Sequence, residues 1–128
     1  MFHRVEAAVL FVQDLARCTA FYRDTLGFQV QDSNATSTGF HMENQYFLLM
    51  EVSAAARMIS EEALDLKIEG GPRGFLAAGV DDVNATYEGL KAKGVTLLRP
   101  PTDQSWGLRT AYFADPEGNV WEINQPIG

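Results

Sequence analysis

The 128-residue chain, 14.1 kDa, is 46% apolar and 21% charged, which is the composition of a folded chain of one domain's size and not of a disordered one. Ten Lys and Arg stand against seventeen Asp and Glu, a net charge of −7, which disfavours nucleic acid and anionic membrane surfaces because both need neutralising cations. A single cysteine, Cys18, excludes an intrachain disulfide and a cysteine-based zinc cluster; no apolar stretch approaches membrane-spanning length, and the first residues lack a secretory leader pattern, so a cytoplasmic protein is expected.

In chain order, Val5–Val12 is dense in apolar and β-branched residues and reads as a buried strand. Asp14 stands at a helix N-cap position, Leu15, Cys18, Phe21, Tyr22 and Leu26 recur at helical spacing, and Gly27 follows as a stop. Phe28–Asp32 is a short strand. Thr38–Glu43 and Tyr46–Val52 flank Asn44-Gln45 and read as a hairpin. Ser53–Leu64 is Ala-rich and helical in pattern, and the glycines and proline of Asp65–Gly74 mark a linker. Phe75–Val80 is again a strand. Asp81 or Asp82 caps a helix carrying Val83, Tyr87 and Leu90, and Gly94 ends it. Val95–Leu98 is a short strand and Arg99–Ser105 a proline-containing loop. Leu108–Ala114 and Asn119–Asn124 form a hairpin around Asp115-Pro116-Glu117-Gly118.

The order β-α-β-β-β thus occurs twice. Thirteen positions separate Asp14 from Gly27, and thirteen separate Asp81 from Gly94, an offset of 67 that marks two copies of one module. The expected class is α+β: two βαβββ modules, about 4–52 and 75–124, joined by a connecting helix and linker over about 53–74. Neither module holds enough core to stand alone, so their mixed sheets are expected to form one curved cup, the natural place for a ligand.

Certain runs carry a resemblance: Val12-Gln13-Asp14-Leu15, Phe21-Tyr22-Arg23-Asp24-Thr25-Leu26-Gly27-Phe28, Gly79-Val80-Asp81-Asp82-Val83, Lys93-Gly94-Val95 and Trp106-Gly107-Leu108-Arg109. The last of them is Tyr112-Phe113-Ala114-Asp115-Pro116-Glu117-Gly118-Asn119-Val120-Trp121-Glu122. Together these resemble the vicinal oxygen chelate superfamily of glyoxalases, extradiol dioxygenases and fosfomycin and bleomycin resistance proteins. The resemblance implies that metal-using members draw His or Glu ligands from four strand positions. Those positions fall here on Ala7, on Leu48 or Leu49, on Phe75 or Gly74, and on Glu122. One donor in four does not hold a divalent cation, so neither a metal nor another cofactor is expected. A substitute site from His41, Glu51 and Glu122 has no supporting spacing.

Strand alternation then names the cup's lining. Val9 and Phe11 go with Ala7; Phe47 and Leu49 join if the hairpin register is as drawn; Phe75 and Ala77 come from the second module. The resemblance implies that Thr110 and Tyr112 point inward; if Glu122 does so too, Val120 and Asn124 follow by alternation, while Trp121 and Ile123 face the helices. Trp106 overhangs the mouth as a stacking residue or packs on the sheet edge. Arg109 is out of phase and is expected in a salt bridge. The leading expectation is a metal-independent small-molecule binding protein of the bleomycin-resistance type, sequestering a flat or extended organic ligand, aromatic or cationic. The resemblance implies a homodimer. The rival is a glyoxalase- or dioxygenase-like lyase or isomerase, with an altered metal site or with Glu122 as acid–base catalyst assisted by Tyr112. A non-catalytic accessory or regulatory module in antibiotic biosynthesis is a third reading.

Overall fold

A computed structural model describes residues 1–61 and 70–128. The chain divides into two compact units, Met1–Gly70 and Gly71–Gly128. The first contains β1 (Ala7–Val12), α1 (Leu15–Ala20) continued by a π-helical turn (Phe21–Thr25), β2 (Gln29–Ser33), β3 (Ser37–Met42), β4 (Gln45–Glu51) and α2 (Val52–Ile59). The second contains β5 (Phe75–Gly79), α3 (Val83–Ala92), β6 (Thr96–Asp103), β7 (Leu108–Ala114) and β8 (Val120–Pro126). Their strand orders are β1-β4-β3-β2 and β5-β8-β7-β6. The first strand pairs in parallel with the fourth in each unit, and the remaining pairs are antiparallel. The expected repeat of connectivity is therefore present, and so is the α+β class.

The helix caps explain the repeat and correct its arithmetic. The Asp14 carboxylate accepts from the Arg17 N–H at 3.0 Å, and that of Asp82, not Asp81, accepts from the Ala85 N–H at 3.0 Å; each satisfies a donor that the first helical turn leaves open. The true offset is 68 at the caps and 67 at the terminating Gly27 and Gly94. The extra residue of the first unit is absorbed in the π-helical turn, where the Leu26 N–H donates to the Phe21 carbonyl at 3.0 Å, a bond one residue longer than the α-helical one.

Other boundaries also move. The β3–β4 turn is Glu43-Asn44, with Asn44 at φ 62, and Gln45 already belongs to β4. β6 runs on to Asp103 through Pro100-Pro101, which an edge strand tolerates because the missing N–H faces away from the ladder; the register shifts on both sides of Arg99. The helix expected over Ser53–Leu64 is Val52–Ile59. Residues 62–69, which hold its expected end and the first part of the expected linker, lie outside the described residues.

In the first unit, Tyr22 from the π-helical turn is the packing centre. It is fully buried, with ring centroids 5.1 Å from Phe47, 5.6 Å from Phe28 and 5.8 Å from Phe40. In the second unit Trp121 is 3% exposed and lies parallel to Phe113 at 6.3 Å, with Ile123, Val83 and Leu90 also buried. Truncating Trp121 removes a large buried aromatic, so Trp121→Ala is expected to cost about 3–5 kcal/mol in denaturant unfolding. Trp106, 66% exposed in the β6–β7 loop, is expected to leave the unfolding midpoint unchanged when replaced by alanine. An equal loss in both variants would show that Trp106 is a packing residue.

Candidate functional site

In each unit the helices cover one face of the sheet, and alternation decides which side chains go to the other. In the second sheet the register aligns Ala77, Glu122, Tyr112 and Arg99 in one cross-strand row. Gly79, Asn124, Thr110 and Thr102 form the next row, and Phe75, Val120, Ala114 and Thr96 the row on the other side. Trp121, Ile123 and Phe113 have the opposite parity and pack under α3. Seven of the residues expected to line a site, Phe75, Ala77, Thr110, Tyr112, Val120, Glu122 and Asn124, therefore share one open face.

Their side chains are organised around Glu122, which is 7% exposed. The Tyr112 hydroxyl donates to its Oε1 at 2.5 Å and Asn124 Nδ2 to its Oε2 at 2.7 Å. The Phe75 ring meets Tyr112 edge-on at 5.5 Å and is 55% exposed. Gln104 Nε2 donates to Thr110 Oγ1 at 3.0 Å, which ties the loop bearing Trp106 to this face. The hydrogen bond to Glu122, then burial, push the Tyr112 phenol above its ordinary value of 10.0, with Thr110 and Arg99 pulling weakly the other way. Arg109, on the helix side, forms the expected salt bridge, to Asp103 at 2.7 Å.

The first sheet corrects part of the expected lining. Val9 pairs with Leu48 and Phe11 with Met50 on the open face, whereas Phe47 and Leu49 have the other parity and are buried beneath α1. The pairing with β1 is the cause: Leu48, not Leu49, stands beside Val9, so Phe47 and Leu49 take the parity of Ala8 and Leu10. His41 pairs with Tyr46 on the open side, and Glu51 lies on the helix side, so those two do not join in one site. Sequence reasoning missed the bond from the Tyr46 hydroxyl to both Asp32 oxygens, at 2.9 and 3.1 Å. It crosses β3 over Gly39, where any Cβ would collide with the phenol and lie 2.6 Å from Asp32 Oδ1. Also missed were Arg99, hidden by its proline neighbours, and a groove of about 780 Å³ on the helix side, lined by Asp14, Thr19, Asn34, Thr38 and Glu51 among others.

The repeat now places the four metal positions that the resemblance implies. Ala7 and Phe75 each stand seven residues before a capping Asp. Leu48 and Glu122 pair with Val9 and Ala77, the residues two further on, so Leu48 and not Leu49 is the second position. Three of the four carry no donor atom, and a resident divalent cation does not fit them.

The sequence pattern of the Glyoxalase/Bleomycin resistance protein/Dioxygenase superfamily matches residues 4–123. The chain belongs to this superfamily. The uncharacterised protein YraH of Bacillus subtilis is 31% identical over 117 residues, which cover 89% of this chain and 91% of that one. A lactoylglutathione lyase of Haemophilus influenzae is 30% identical over 117 residues, covering 86% and 83%. Among solved structures, a glyoxalase/bleomycin resistance protein/dioxygenase from Nocardioides matches with a TM-score of 0.82 at 23% identity, covering 99% of this chain and 85% of that one. Membership of the glyoxalase superfamily accounts for the repeat and for the fold of each unit. No described helix is long and apolar enough to cross a membrane.

The Tyr112–Glu122 bond makes a titration prediction. A phenol whose folded value is raised stays protonated through the ordinary phenol range, and its stabilising contribution is lost as pH rises through that folded value. In Glu122→Gln protein the phenolate absorbance of Tyr112, identified by difference from Tyr112→Phe, should develop at lower pH than in the parent. An unmoved titration would mean that the bond does not persist in solution.

Proposed function

We propose that this superfamily member is a metal-independent small-molecule binding protein of the bleomycin-resistance type, which takes up an organic ligand and sequesters it without chemistry. One observation carries the reading. Of the four repeat-related positions, Glu122 alone bears a donor, and both of its oxygens already accept from Tyr112 and Asn124 beside an exposed Phe75. An exposed aromatic next to a few convergent polar groups suits ligand capture. Trp106, on the loop anchored through Gln104, supplies a further ring for stacking. We place the protein in the cytoplasm, as a homodimer.

A second reading is a lyase or isomerase in which Glu122 moves a proton, assisted by Tyr112. What favours it is the likeness to relatives named lactoylglutathione lyase, in Haemophilus influenzae and, as a probable one, in Vibrio cholerae. Metal analysis separates the two. Protein purified without chelator and incubated with Ni, Zn, Fe or Mn should retain none at stoichiometric level and show no lactoylglutathione lyase activity. Stoichiometric metal, lost in Glu122→Ala, would overturn the binding reading and promote the enzyme.

A further inference from the structure

Glu122 poses a charge problem that its hydrogen bonds do not solve. It is 7% exposed, and both of its partners, Tyr112 and Asn124, are neutral donors. No Lys, Arg or His of the described residues pairs with it. Arg109 has the opposite parity and is committed to Asp103. Arg99 stands in the same row one strand beyond Tyr112 and its charge acts on the Tyr112 phenol, but it forms no ion pair with Glu122. A carboxylate withdrawn from water without a counter-ion is costly and favours any cation that reaches it.

A divalent metal needs several donors, and the related positions supply none. An ammonium needs only acceptors and an apolar place for its carbon substituents. Glu122 retains unused lone pairs, Asn124 Oδ1 accepts no hydrogen bond from the described residues, and Thr110 Oγ1 is on the same face. The rings of Phe75 and Tyr112, 5.5 Å apart, lie beside the carboxylate and offer both apolar area and π-faces to a cation. The net charge of −7 attracts cations and repels anions at long range.

We propose that Glu122 is the counter-ion of the ligand, and that the ligand class is an amphipathic organic amine, its ammonium group on Glu122 and Asn124 and its apolar body on Phe75 and Tyr112. This rests on the binding reading above and names its ligand class. Tyr112 and Asn124 act as positioning residues, each fixing one carboxylate oxygen.

The test compares three probes that share an indole ring and a two-carbon chain: tryptamine (cationic), 3-ethylindole (neutral) and indole-3-propionate (anionic). Each is titrated into isotope-labelled protein at neutral pH and followed by amide shifts. Tryptamine should perturb Phe75, Tyr112 and Glu122 and bind about tenfold or more tightly than indole-3-propionate. Glu122→Gln should remove that preference while 3-ethylindole binds as before. Asn124→Lys, which supplies an internal cation beside Glu122, should abolish tryptamine binding, and it keeps the test decisive if Glu122→Gln does not fold. Tyr112→Phe, which keeps the ring but frees one carboxylate oxygen, should narrow the preference for tryptamine without removing it; an unchanged preference would show that Tyr112 does not position the carboxylate. Equal affinity for all three probes on the open face, unaltered in Glu122→Gln, would overturn the amine assignment and leave the binding reading standing. Shifts confined to the groove beside α1, or none from any probe, would count against both.

Discussion

Parallel pairing of the first and fourth strands is the constraint from which the rest of each unit follows. Such a pair needs a crossover connection, and the helix in that connection must cover one face of the sheet. Once α1 lies over β3 and β4, and α3 over β7 and β8, every strand residue is assigned by parity to the helix face or the open face. Trp121 and Glu122 are neighbours in sequence, yet one is stacked on Phe113 in the core and the other faces Tyr112 on the open side. A slip of one residue would bury the carboxylate under α3 and expose the indole, so core and site specify the same register.

That dependence also explains what was legible in the sequence. In the second unit the Asp115 carboxylate accepts from the Glu117 and Asn119 N–H groups, both at 2.9 Å, and from Asn119 Nδ2 at 2.8 Å. The motif spells out its own turn and so the ends of β7 and β8, while the inward face of those strands comes from the family resemblance at Thr110, Tyr112 and Glu122. The first unit's hairpin has only Asn44 as a marker. Asn suits either central position of a tight turn, so placing the turn at Asn44-Gln45 was physically reasonable and wrong by one residue. That slip moves the β3–β4 register by two and leaves parity alone; Phe47 and Leu49 went to the wrong face because only the pairing of Leu48 with Val9 decides between the two parities of β4. The π-helical turn left no mark in the periodicity because Phe21 and Tyr22 are apolar under either winding. Pro100-Pro101 reads as a loop unless the strand is known to be an edge. The bonds at Glu122 are not written in any local pattern: they require β7 and β8 side by side in register.

Glu122 illustrates a conflict between stability and use. A buried carboxylate with neutral donors alone contributes less to folding than an apolar group of its size packed in the same place. Proteins keep such groups where binding or chemistry needs them. Here the carboxylate stands at the one position of the four implied by the family resemblance that bears a donor, and two rings, an amide acceptor and a hydroxyl share its face, which are the groups the proposed amine would use.

The most direct measurement is a crystal structure of the protein grown with tryptamine. The account predicts the ammonium nitrogen within hydrogen-bond distance of a Glu122 carboxylate oxygen, with the indole against Phe75 and the Tyr112–Glu122 bond intact. An indole seated elsewhere, or an ordered metal ion on Glu122 with the amine absent, would contradict it.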